Sequence, residues 1–486
     1  MSNAFERQAP LAQESPGDTT IGSTKTSLAR NQFGVIAISC VVISAVAPIS
    51  VTAAAMPVVF AQIGPATPAV YLIAGLLFGI FSIGYVSMSR HVKNAGGYVS
   101  YIAKAFGSRV ATAAAYVTLL LYISSLVAFY AISGVVSAGT LGISTNPTTI
   151  IFIALAIVAV LCVLGGHVSI KLLVTLLACE AIALGALGIA LLFKAQTLSF
   201  ASFAPSAIFV PGVGVALLLA IICYSGLEAT VVFSEEARTP ETTIPRSVAA
   251  SIISITLFYT VMAFALGNYT GLDAVQARAA ADPAGFLFTI GREVLGDFYS
   301  RTLEILVLSS FLAVFVGFQS MIGRYIFALS RAGVLPSFLW TTNSHGNPVA
   351  ALVAVTVIVG TLLALFTISG ADLVLVVYGW LVGLGTVGLL CMLALVSAAI
   401  FAFFVKTGLE QRVWVAKVAP LISIGAFVIV LITAIINYSI LGTQDERARW
   451  LLVLVPIAAV LGWIVSGYRQ RQGKVIEYDA SIESGQ

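Results

Sequence analysis

The chain has 486 residues, of which 59% are hydrophobic and 9% charged, with a mean hydropathy of +1.05. A water-soluble domain carries roughly 25% charged residues, so this composition cannot cover a water-exposed surface and specifies an integral membrane protein. The formal charge of +4 makes no case for nucleic acid, and without a phosphate-binding loop motif the chain is not expected to be a nucleotide-driven pump.

Cys40, Cys162, Cys179, Cys223 and Cys391 all fall in apolar runs, without metal spacing or a disulfide framework, and read as small buried hydrophobes. His91, His167 and His345 sit in or beside loops, so any proton relay at membrane depth has to use carboxylates. No cofactor or metal is expected.

Taken in order, residues 1–32 are polar, nearly free of aromatics and expected to form a disordered cytoplasmic tail. The apolar run that follows is too long for a secretory signal. The pattern then predicts twelve spans, at about 34–60, 69–87, 110–138, 148–164, 172–193, 213–232, 249–266, 303–322, 349–368, 373–403, 415–438 and 450–466. Pro48 lies inside span 1. It lacks an N–H and clashes with the carbonyl four residues back, so a kink or break is expected near Ser44. A basic segment with helical spacing, 90–104, separates spans 2 and 3, and a long polar connection, 267–300, separates spans 7 and 8. With an even number of spans, both ends lie on one side. Six of the 24 Lys and Arg residues, Lys194, Arg278, Arg292, Arg301, Arg447 and Arg449, fall in the segments opposite the tail, which places both termini in the cytoplasm.

Span 6 is the unusual one. It carries Cys223-Tyr-Ser-Gly-Leu-Glu228 and ends in Glu235-Glu236-Ala-Arg238-Thr-Pro240. A carboxylate in mid-span is unfavourable by roughly 2.5–3.5 kcal/mol even on lenient scales, and Gly226 weakens the helix beside it. Non-helical backbone at that depth is tolerated where it lines a cavity or is buried in protein. Spans 1 and 6 are both interrupted, and the long segments after spans 2 and 7 fall on opposite sides. This positional match suggests inverted repeats over 33–195 and 211–404, followed by two further helices in 413–467 and a tail, 468–486. A solute-binding transporter fits this pattern. A channel wants a selectivity loop and an enzyme wants clustered polar side chains at the membrane face, and the sequence offers neither.

Three motifs, Asn94-Ala-Gly96-Gly97-Tyr98, Gly226-Leu-Glu228 with Ile-Pro245-Arg246, and Arg324-Tyr-Ile-Phe-Ala-Leu-Ser-Arg331, resemble those of the amino acid–polyamine–organocation superfamily of permeases. The resemblance implies an all-α membrane fold of the leucine-transporter type, with 5+5 inverted repeats plus two C-terminal helices. It also implies transport of an amino acid or related amine across the cytoplasmic membrane, by proton-coupled uptake, exchange or polyamine carriage. Two features depart from the family. Ala45-Val46-Ala47-Pro48 stands where a glycine-rich triplet is common, and Glu180 stands where some members place a lysine.

Within that resemblance the backbone of Ala45, Val46, Ala47 and Ile49 is expected to hold a substrate carboxylate. The carbonyls of Ile222, Tyr224 and Ser225 are expected to hold its ammonium. Gly226 gives close approach and Glu228 adds charge, with Tyr122, Tyr224, Phe311 and Tyr378 as candidate walls. Glu180 and Glu228 are the candidates for carrying a coupling proton, and Ser309 and Ser310 are weak candidates for a sodium site. At the cytoplasmic end Glu235, Glu236 and Arg238 are expected to form a gate with Arg90, Lys93 or Arg331.

Overall fold

A computed structural model describes residues 33–92, 97–141, 146–164, 166–227, 229–233, 236–283, 285–343, 346–438, 446–473, 476 and 478. Among them the protein is helical, with an isolated β-bridge between Phe33 and Ala237. Among the described residues ten helical stretches are long and apolar enough to cross a membrane. The first of them is Val35–Ser89, and a shorter apolar helix, Val213–Ile222, accompanies them.

Span 1 is broken. Helix α1 (Val35–Val46) stops at Ala47, which adopts a left-handed conformation with φ +54°. Pro48 then opens α2 (Pro48–Ser50), a π-turn follows over Val51–Ala55, and α3 (Met56–Ile63) completes the crossing. The sequence placed the break near Ser44, and the structure places it at the residue before the proline. The cause is that the proline ring excludes its predecessor from the helical region, while the proline itself suits the first position of a new helix. Span 6 is broken in a different way. Helix α10 (Val213–Ile222) ends in a non-helical stretch through Leu227, in which Gly226 has φ +106°, and a short helix α11 (Ala229–Val232) follows.

Ten further long helices are described. They are α4 (Thr67–Ser89), α6 (Ser108–Leu141), α7 (Pro147–Leu164), α8 (Gly166–Lys194), α12 (Pro240–Thr270), α15 (Asp297–Arg331), α16 (Val349–Ile368), α17 (Gly379–Thr407), α18 (Ala419–Ile436) and α19 (Leu454–Arg471). Helix α1 packs against α8, α12 and α15, while α10 packs against α3, α4 and α18. Ile182 on α8, Val357 on α16, Ile429 on α18 and Ile464 on α19 are exposed, as a bilayer-facing surface requires. Cys179 is exposed on α8, and Cys40 and Cys391 are partly so, which corrects the expectation that every cysteine is buried.

Shorter helices lie between the spans. The basic segment folds as α5 (Tyr98–Phe106), and a four-residue helix α9 (Pro205–Ile208) precedes α10. The connection expected to be merely polar, 267–300, is structured. It holds the end of α12, then α13 (Val275–Ala281), α14 (Phe286–Leu295) and the start of α15. Helices α13 and α14 each bury one apolar face, with Val275 and Ala279 on α13 and Phe286, Leu287 and Ile290 on α14. In the C-terminal tail Ile476 and Tyr478 are buried, and the Tyr478 hydroxyl lies 2.7 Å from Thr112 Oγ1.

Candidate functional site

The break in span 1 is enclosed by side chains from three helices. Glu180 of α8 is 2% exposed, and its Oε2 accepts the Ile49 N–H at 3.5 Å. Ser310 of α15 lies beside it. Tyr259 of α12 donates its hydroxyl to the Val46 carbonyl at 3.4 Å. The Ala47 N–H turns back on Ile43 and Ser44, at 3.1 Å from each carbonyl. Pro48 has no N–H, and its carbonyl accepts the Thr52 hydroxyl at 2.7 Å. A helix start normally leaves donors free. Here positions 47, 48 and 49 leave none, because one is bonded within the chain, one does not exist and one is held by a carboxylate.

At the break in span 6, the amides of Cys223, Tyr224 and Ser225 bond to the carbonyls of Ala220, Ile221 and Ile222, so the chain tightens before it leaves the helix. The Tyr224 ring stacks on Phe78 at 5.2 Å, and its hydroxyl donates to the Tyr71 carbonyl at 2.9 Å. Its edge meets Tyr259 at 5.8 Å. Tyr259 therefore touches both breaks, through a ring contact on one side and a hydrogen bond to Val46 on the other. The Cys223 thiol donates to the Leu219 carbonyl at 3.2 Å.

Of the predicted site residues, the structure brings Val46, Ala47, Ile49, Glu180 and Ser310 together and joins them through Tyr259 to Tyr224. Gly226 and Ser225 lie in the adjoining non-helical stretch. Ile222 ends α10 and Ala45 lies within α1. Glu228 lies outside the described residues, as do Glu235 and Lys93 of the expected gate and His345. Two of the predicted walls pack against other aromatic rings. Tyr122 meets Phe318 and Tyr325 edge-on at 6.4 and 6.0 Å, and Phe311 stacks on Phe315 at 6.3 Å. Tyr378 closes the π-turn Leu373–Tyr378 ahead of α17, near Cys223. The Ser309 hydroxyl bonds to the Leu306 carbonyl of its own helix at 2.8 Å, a common arrangement for a serine in an apolar helix.

At the end of span 6 where a gate is expected, Glu236 is paired with Arg324 of α15. The Arg324 Nε bonds to Oε1 and its Nη2 to Oε2, the latter at 3.0 Å, with both side chains buried. The guanidinium also lies 4.7 Å from the Phe233 ring centroid. A planar fork matches a carboxylate at two points and stacks on an aromatic face, which lets this one arginine sit inside α15. Arg331 lies over Phe327 at 5.3 Å, and Arg90 and Arg238 are exposed. The same place is tied through the backbone, since the Phe33 N–H donates to the Glu236 carbonyl at 3.1 Å and the Arg238 N–H to the Phe33 carbonyl at 3.0 Å.

Sequence reasoning missed Tyr259 and the role of Arg324. Arg324 carried a signal, as a lone charge in the run Met321-Ile-Gly-Arg324-Tyr-Ile-Phe327. Tyr259, in an apolar helix with many aromatics, carried none.

The family described as Amino acid permease matches residues 33–464 of this chain. The aromatic amino acid transport protein AroP of Escherichia coli O157:H7 is 26% identical over 268 residues, 54% of this chain and 56% of that protein. The lysine-specific permease of Saccharomyces cerevisiae is 28% identical over 196 residues, 38% of this chain and 30% of the relative. A probable amino-acid permease of Schizosaccharomyces pombe, meu22, is 29% identical over 170 residues, 34% and 29% of the two chains. The chain thus spans little more than half the length of the first of these relatives and about a third of the other two.

Proposed function

The chain belongs to the amino acid permease family, and from that premise we propose that it is a secondary active transporter carrying an amino acid or related amine across the cytoplasmic membrane by alternating access. The observation that carries this reading is the junction of two interrupted helices. A buried carboxylate, Glu180, is bonded to one break, and Tyr259 bridges that break to the other. Interrupted spans that meet inside a helical membrane protein are where transporters of this architecture hold solute and coupling ion. Twelve spans, two inverted repeats of five and cytoplasmic termini complete the reading.

Transport is proton-coupled uptake, with Glu180 as the group that takes and releases the proton and Glu228 facing the solute. A change of one charge at Glu180 acts directly on the Ile49 amide at the break, in surroundings where little water screens it. The Glu236–Arg324 pair holds the cytoplasmic end closed, and parting it opens the inward path. Counterflow in proteoliposomes, with and without a pH gradient, tests the whole reading. In Glu180→Gln, which keeps an oxygen for Ile49, accumulation driven by a pH gradient is expected to be lost while solute exchange survives. A Glu180→Gln protein that still concentrates solute against its gradient reduces Glu180 to a structural role, and exchange with no response to pH in the unmodified protein replaces uptake with antiport.

A further inference from the structure

Away from the two helix breaks, a cavity of about 170 Å³ opens where α5 meets the start of α6. Ser100, Ala103 and Lys104 of α5, Ser108 of α6, and Ile476 and Tyr478 of the C-terminal tail line it. The three α5 residues share one face because positions three and four apart in a helix are neighbours. Ser100 is 1% exposed, and its Oγ has no hydrogen-bond partner among the described residues. A polar group buried without a partner is unfavourable, and a ligand in the cavity satisfies it. Ser108 offers a second donor. Its Oγ accepts from Gln470 Nε2 at 2.8 Å, which leaves its own hydrogen for the cavity. Tyr478 serves as a wall, because Thr112 gives its hydrogen to the Ser108 carbonyl at 2.8 Å and the Tyr478 hydroxyl therefore donates to Thr112 Oγ1 at 2.7 Å. The charges favour an anion. Among the described residues the lining holds the Lys104 ammonium and no carboxylate. Helix α6 runs for 34 residues from Ser108 and presents the positive end of its dipole there. Arg469 and Arg471 lie in the last turn of α19, which Gln470 ties to Ser108 and, at 2.8 Å, to Arg109 Nε. Leu461, Trp463 and Ile464 are exposed on α19, an apolar face that acyl chains can follow to this end of the helix.

We infer that this cavity binds a phosphate group, held by the Lys104 ammonium, the Ser100 and Ser108 hydroxyls and the start of α6. The phosphate comes from the headgroup of an anionic lipid or from free phosphate, and the chemistry of the site is the same for both. Basic pockets between helix ends hold such headgroups in membrane proteins. A phosphate bound here joins α5 to α6 at a place that none of the solute-site residues occupies, so the inference does not depend on what the protein carries.

The test is ligand-dependent unfolding of the purified full chain in detergent. It is titrated with inorganic phosphate at constant ionic strength, with phosphatidylglycerol, and with zwitterionic phosphatidylcholine as the control. Phosphate and phosphatidylglycerol are expected to raise the unfolding temperature, and phosphatidylcholine is not. Each variant is compared with its own unliganded value. The half-saturating concentration is expected to rise about tenfold in Lys104→Gln, the factor for losing a charge-assisted hydrogen bond, and about threefold in Ser100→Ala. Lys417→Gln removes an exposed cation elsewhere and is expected to leave it unchanged. A response to phosphatidylglycerol alone, weakened by the first two variants, assigns the site to a lipid headgroup, and a response to inorganic phosphate alone assigns it to free phosphate. Should Lys104→Gln fail to fold, Ser100→Ala decides. No response to either compound, equal stabilisation by phosphatidylcholine, or a response that Lys104→Gln and Ser100→Ala leave unmoved overturns the inference.

Discussion

The two broken helices reach the same outcome by opposite chemistry. In span 6 the chain departs from the helix at Gly226, with φ +106°, in a region that glycine enters freely because it has no Cβ. In span 1 the departure falls on Ala47, the one non-glycine residue with positive φ among the described residues. An L-residue there costs about 1–2 kcal/mol, and Pro48 forces the position by excluding the helical alternative. The glycine break is thus conformationally permissive, whereas the alanine break is strained and held by its surroundings, through Glu180 on the Ile49 amide and Tyr259 on the Val46 carbonyl. A break of the first kind is legible in sequence as a glycine next to a carboxylate. The second is legible as a proline, but what holds it depends on partners more than a hundred residues away.

The largest expected effect tests what holds the second broken helix in place. Truncating one partner of a buried ion pair leaves the other charge uncompensated and costs about 3–5 kcal/mol. Arg324→Ala and Glu236→Ala are therefore expected to lower the unfolding temperature in detergent steeply. The double variant Glu236→Leu with Arg324→Leu is expected to recover most of the loss. A small effect of either single change would mean that the pair is not the anchor. Next in size, Gly226→Ala places a Cβ on backbone that only glycine adopts easily and is expected to cost about 1–3 kcal/mol. Solute exchange should fall with it, and a neutral result would remove the distinction between the two breaks.

Tyr259→Phe deletes the hydrogen bond that joins the breaks and keeps the ring contact with Tyr224. The loss is expected to be about 0.5–1.5 kcal/mol in stability, with a larger proportional effect on exchange than on unfolding, and stability and exchange falling in step would make Tyr259 a packing residue only. The smallest effect runs in the other direction. Ala47→Gly relieves the left-handed strain but adds about 0.5–1 kcal/mol of unfolded-chain entropy, so a net gain under ~1 kcal/mol is expected as a slightly raised unfolding temperature. A clear loss would show that the Ala47 methyl, which is buried, contributes packing that outweighs its strain.

The sequence by itself determined the class of the protein and the location of its centre. Charged residues are too few for a water-exposed surface, so the chain is bound to a membrane. A proline in one span and a glycine beside a carboxylate in another weaken the local hydrogen-bond ladder whatever the surroundings. The position of Glu180 in an apolar run marked it as a candidate for the same local reason. What the tertiary structure decided is which groups pair. Glu236 meets Arg324 because α11 and α15 pack together, and the apolar spacing of neither helix encodes its partner. The shift of the first break to Ala47 follows from a local rule about the residue before proline. The capture of the Ile49 amide by Glu180, 131 positions further along the chain, follows from no local rule, because hydrophobic periodicity fixes which face a helix buries but not which polar group waits on the helix that covers it.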